Sequence, residues 1–177
     1  PFILSALLMV GLTVYASKQL YEQFNTTTAA FLALLASALI WMITRTLQWL
    51  FTSEPLTQIW LTVLYIGYGG TILATFFFAM SFTGRTEWFS RRRIAAVVIP
   101  AVLAFVLAAT NAAGMHTLLW TGEFTTMNGL YILDREFQPL FFAYFLYLHL
   151  FLFSGIIVLL RMALGSAKVY RRQTIAF

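Results

Sequence analysis

Apolar positions run along this chain in long unbroken blocks, and polar residues collect in the short stretches between them. The blocks cover residues 2–17, 28–51, 57–82, 94–112 and 139–163. A membrane-spanning helix needs about 20 apolar residues in a row. Backbone groups in lipid must be satisfied internally, so the choice lies between a helix bundle and a closed barrel. Barrel strands would alternate apolar and polar positions over about ten residues. These blocks are longer and do not alternate, which predicts an all-α, polytopic transmembrane helix bundle with five spans covered.

Composition strengthens this picture. Hydrophobic residues make up 61% of the 177 and charged residues 10%, with a mean hydropathy of +0.84. Soluble domains carry about 25% charged residues, and this chain lacks the charge to cover a water-facing surface. The first block is short and opens at Pro1 without a Met. The tail "YRRQTIAF" sets two arginines ahead of apolar residues, as the start of a sixth span would. The expectation is one transmembrane domain over 1–177, truncated at both ends.

Basic residues near span ends set orientation. Lys18, Arg85, Arg91, Arg92, Arg93, Lys168, Arg171 and Arg172 fall on one side, and Arg135 alone on the other, beside Glu54, Glu123, Asp134 and Glu136. The basic side is therefore expected to be cytoplasmic, with the N-terminus outside. The net charge of +5 then reflects topology and affinity for anionic lipid heads, and nucleic acid is not an expected partner. With no Cys, disulfides and thiolate metal sites are excluded.

Only one connection is long, about 112–138, and it lies on the outer side. In it, "HTLLWTGEF" and "GLYILDREF" flank "TTMNG", and Asn128-Gly129 suits a tight turn because both residues tolerate positive φ. A small extracellular β-hairpin is expected there. The alternative is an irregular amphipathic loop lying on the headgroups.

Four stretches carry a resemblance: "LQWLFTSE" (47–54), "LYIGYGG" (64–70), "SFTGRTEWFSRRR" (81–93) and "TNAAGMHTLLW" (110–120). In order and spacing the chain resembles the N-terminal seven-transmembrane sensor domain of prokaryotic membrane histidine kinases, over about 30–172. That family shows an aromatic-Thr-Gly turn, a basic stretch with Trp, and then Thr-Asn, a nearby His and a Trp after the fourth span. The resemblance implies seven spans and a parent histidine kinase in a two-component system of a prokaryotic cell membrane. The family often carries Glu where Gln48 stands, and an acidic residue where Ser81 stands. Both differences remove negative charge, so a relative's ligand preference does not carry over.

Several polar residues inside or beside the spans are candidates for ligand binding. Arg45 sits roughly 9 Å below the end of its helix. It either snorkels to headgroups or faces inward to hold an anion; Trp41, Gln48 and Trp49 share its face. Tyr65 and Tyr68 share a face beside Gly67, Gly69 and Gly70, where small residues let helices approach closely. Asn111 either caps the fourth span or joins His116 at a pocket, and Trp120 is expected to anchor at the membrane interface beside them. His149 lies about ten residues into the fifth span and either bonds a neighbouring helix or meets a ligand.

No catalytic constellation is present in these residues. Two histidines and no intramembrane carboxylate leave neither a metal set nor a Ser–His–Asp triad, and no Lys lies inside a span. The expectation is a sensor or receptor domain without a cofactor, in contact with membrane lipids and a small or lipid-like ligand; a homodimer stays open. The rival reading is a transporter or channel component, which would show broken helices and for which "GYGG" (67–70) is the only hint; a structural subunit of a membrane complex is the other.

Overall fold

A computed structural model describes residues 10–15, 17–18, 25–50, 53–127 and 130–175. The first expected span, 2–17, lies largely outside these residues; 10–15 and 17–18 are helical. Four long helices follow: α1 (Thr26–Leu50), α2 (Glu54–Phe82), α3 (Arg91–Ala112) and α4 (Pro139–Ile175). Between α3 and α4 stands a hairpin of β1 (Trp120–Met127) and β2 (Leu130–Phe137). The four apolar spans, Thr26–Gln48, Pro55–Phe82, Arg91–Ala112 and Pro139–Gly165, match the second to fifth blocks of the sequence to within a few residues.

The helix ends follow from local chemistry. Asn25 begins α1, its Oδ1 accepting the Thr27 N–H at 2.8 Å, as an N-cap should. Pro55 opens α2 where its missing N–H costs nothing. A 3-10 turn, Thr86–Phe89, fills the basic bend before α3. Trp88 of that turn packs edge-on against Phe76 at 5.1 Å. Arg93 lies over the Trp88 ring at 5.6 Å and donates to Glu87 O at 2.8 Å. Arg91 and Arg92 are exposed.

The central helix is α2, with half of its apolar window buried against 22% or less for the others. α1, α3 and α4 all pack on it, and its sequence is apolar all round, as an enclosed helix requires. Close approach depends on its glycines. A Cβ on Gly67 would lie 2.5 Å from the Trp41 backbone nitrogen of α1, and one on Gly69 would lie 2.5 Å from the Tyr144 hydroxyl of α4. The helix runs unbroken through 67–70, so the break that "GYGG" hinted at is absent. At the arginine end, the Thr27 and Ser81 hydroxyls share a 2.6 Å hydrogen bond that ties α1 to α2.

The hairpin is antiparallel, Trp120 opposite Phe137 and Met127 opposite Leu130. That register leaves residues 128 and 129, the expected turn, between the strands and outside the described residues. Successive strand side chains point to opposite faces. Thr121, Glu123, Asp134 and Glu136 share one face, and Trp120, Arg135 and Phe137 the other. The acidic face lines a surface depression, while the second face closes over the helix ends.

One expectation is corrected here. Residues 170–175 of the tail read as the start of a sixth span continue α4, which is a single helix from Pro139 to Ile175; residues 176 and 177 lie outside the described residues.

Candidate functional site

Beneath the hairpin, α1, α2, β2 and α4 converge on a cavity of about 190 Å³. Its cationic lining comes from two separate elements, Arg45 of α1 and Arg135 of β2. α2 contributes Leu64, Tyr65 and Tyr68, and the remaining wall is aromatic, from Trp41, Phe137, Phe141, Tyr144 and Phe145. Among the described residues, no acidic side chain lines it. The sequence places these groups by period: Trp41 and Arg45 lie one helical turn apart, and Arg135 and Phe137 lie two apart on a strand.

Aromatic contacts fix the floor. Tyr65 stacks on Tyr144 with centroids 5.7 Å apart and planes at 17°, and Trp120 covers it from the hairpin at 5.9 Å. Tyr68 meets Trp41 edge-on at 5.6 Å. Its hydroxyl lies 3.4 Å from His149 Nε2. His149 Nδ1 is 2.8 Å from Phe145 O, a carbonyl that can only accept. The Nδ1 therefore donates to that carbonyl, and with the single ring proton on Nδ1 the Nε2 accepts from the Tyr68 hydroxyl.

The polar groups are incompletely satisfied. Arg45 Nη1 donates to Gln48 Oε1 at 3.1 Å, while Gln48 Nε2 is buried without a partner among the described residues. The Tyr65 hydroxyl is likewise buried and unpartnered, on a residue 8% exposed. Arg135 lies over the Phe137 ring at 5.3 Å. Burial pulls its proton affinity below the ordinary guanidinium value; Tyr65 works against that pull and the Arg45 charge adds to it. A guanidinium nonetheless stays charged in proteins. Two guanidinium groups therefore face one small, mostly aromatic chamber, and their charge favours an anion there.

The other candidate residues lie elsewhere. Asn111, 7% exposed, directs its amide to the hairpin backbone, donating to Trp120 O at 3.1 Å and accepting from the Leu119 N–H at 2.9 Å. His116 Nδ1 accepts the Leu118 N–H at 3.2 Å, so its Nε2 proton faces Thr110 Oγ1 at 2.8 Å. Neither residue lines the cavity. Trp120, expected as an interface anchor, is 5% exposed and part of the core, because Asn111 holds its backbone down and Tyr65 offers it a ring. Arg45 lines the cavity while remaining exposed. The side chain of Trp49 lies outside the described residues.

Sequence reasoning missed Arg135, Tyr144 and the phenylalanines around them. Arg135 stood out only as the single basic residue of its side, and its place between Asp134 and Glu136 was the usable signal, since alternation turns it away from both. A larger cavity of about 660 Å³ runs between α1, α2 and α3. It is an apolar lateral groove without a charged group among the described residues, and Tyr65 forms part of its wall as well.

The family model for the N-terminal 7TM region of histidine kinase matches residues 1–177. The chain belongs to that family. No curated protein matches it. As a histidine-kinase 7TM region it is a membrane sensor input module. Within that module the chamber lies where the hairpin, the central helix and the first turns of α4 meet.

Proposed function

We propose that this region is the input half of a two-component histidine kinase in a prokaryotic cell membrane, with the hairpin outside and the arginine bend in the cytoplasm. A ligand enters from the hairpin side, seats among the helix ends and biases two packings of the bundle. α4 carries the difference inward. A ligand shifts such an equilibrium only as far as its affinities for the two states differ.

The supporting observation is that one chamber is lined both by β2 and by the start of the helix that follows it, through Arg135 and Phe137 on one and Phe141, Tyr144 and Phe145 on the other. Whatever fills the chamber touches the root of α4. The unbroken course of α2 favours this reading over a transporter, whose binding sites are typically built on discontinuous helices.

The test uses the full-length protein in vesicles, with autophosphorylation as the readout. Leu64→Trp projects bulk into the chamber and is expected to change basal autophosphorylation at least about threefold in either direction. Leu103→Trp, on an exposed α3 position, is expected to leave it unchanged. A folded Leu64→Trp protein with unaltered basal activity and unaltered stimulus response would remove the chamber from the signalling path.

A further inference from the structure

The same chamber specifies its ligand more narrowly, and that specificity rests on the sensing role proposed for it. We propose that Arg45, Arg135 and the Tyr65 hydroxyl bind the carboxylate of a small organic acid whose aromatic or short aliphatic body packs against the surrounding rings. Three observations carry this. Two guanidiniums from different elements open onto one space that no acidic side chain among the described residues lines. The hairpin carboxylates that could neutralise Arg135 are on the opposite strand face, at Glu123, Asp134 and Glu136. The Tyr65 hydroxyl is buried with no partner among the described residues, on a side chain that lines the same space.

An unmade hydrogen bond at a buried hydroxyl is costly, and two guanidiniums opening onto one space repel each other. One carboxylate answers both. Its two oxygens offer about four acceptor sites, enough for a guanidinium on each side and the phenol between them. Size limits the rest of the molecule. The chamber, at about 190 Å³, falls below the range of roughly 300–1,000 Å³ that drug-sized ligands occupy. Its walls, apart from the two arginines, are aromatic or aliphatic, so the body that follows the carboxylate is apolar and short. Tyr65 stands between this chamber and the lateral groove and lines both, which places a ring across the path a long lipid tail would take.

The carboxylate has two sources, an acid dissolved outside the cell or a fatty acid in the bilayer, and the experiment separates them. The full-length protein in phosphatidylcholine nanodiscs is titrated calorimetrically with benzoate, butyrate, palmitate and, as an uncharged match, benzamide. Saturable binding of benzoate or butyrate, and none of benzamide, is expected. Arg45→Met and Arg135→Met should each weaken binding at least about 30-fold, and Tyr65→Phe about 10-fold. Arg45→Lys and Arg135→Lys should recover part of the loss, since Lys keeps the charge and lacks the planar fork. Palmitate alone binding, with the same dependence on both arginines, keeps the carboxylate site and assigns the ligand to the bilayer. If none of the three acids binds the folded protein, or if binding survives both Met substitutions, the site is wrong. Tyr65→Phe removes a single oxygen and guards against misfolding as the cause. Binding without any change in autophosphorylation would retain this site and sink the sensing role; a kinase response to Leu64→Trp without acid binding would do the reverse.

Discussion

Asn111 at the end of α3 closes its carboxamide on the backbone of Trp120, donating to the carbonyl at 3.1 Å and accepting from its N–H at 3.4 Å. The Leu119 N–H joins the same oxygen at 2.9 Å. One side chain thus does for the entry of β1 what a neighbouring strand would do, and the exit of β2 is tied back by Gln138 N–H to Leu119 O at 3.0 Å. The hairpin is held at its base, on the helix ends it covers.

Asn111→Ala should therefore free the hairpin from α3. Buried backbone groups at 119 and 120 lose their partner, which costs about 1–3 kcal/mol. Thermal unfolding in detergent should show a lowered midpoint, and limited proteolysis should cut within 120–137 faster than in the parent protein. Unchanged proteolysis would mean that the hairpin holds its place without this clamp.

Gly67→Ala tests the contact between α1 and α2. An added Cβ would meet the Trp41 backbone at 2.5 and 2.6 Å, and main chain cannot turn aside as a rotamer can. The helices must separate, at about 1–3 kcal/mol, although Ala ordinarily favours a helix over Gly by about 1 kcal/mol. Gly165→Ala, where nothing lies within 4 Å, is the control and should be neutral or stabilising. Equal stability of the two variants would show that the close approach at Trp41 contributes nothing.

Orientation is tested in a region that contains no Cys. Single cysteines at Thr86 and Glu123, both exposed, should react with a membrane-impermeant thiol reagent from opposite sides, Glu123 from outside in intact cells. Replacing Arg91, Arg92 and Arg93 with Gln should lower the fraction inserted this way round, because the charge bias sets topology. Labelling of both positions from one side would overturn the proposed orientation.

The spans were legible because lipid imposes one rule on every segment that crosses it. The hairpin was legible because Asn128-Gly129, a pair that tolerates positive φ, sits midway in the only long connection. The pairing of helix faces was not. In a bilayer the lipid-facing side of a helix is as apolar as its packed side, so no stripe marks the contact. Arg45, Tyr65 and Tyr68 could be grouped because each is polar within a span. Tyr144 is one aromatic among many in "FFAYFLYLHLFLF", and nothing local shows that it stacks on Tyr65. Asn111 and His116 were grouped with the pocket by depth, but depth carries no direction, and both turn towards the loop backbone. Trp120 follows the general habit of Trp at interfaces until a specific partner ring overrides it.

α4 spans 37 residues without interruption, roughly 55 Å at 1.5 Å per residue, against a hydrocarbon core of about 30 Å. In the proposed sensor, a rod of that kind would serve as a torsion shaft. Each residue advances about 100° around the axis, so the angular phase at Pro139 is preserved along the helix to Ile175. Under the sensing role proposed above, a twist imposed beneath the hairpin would be passed along this helix and change which face it presents at the far end, so the signal would leave as an angle.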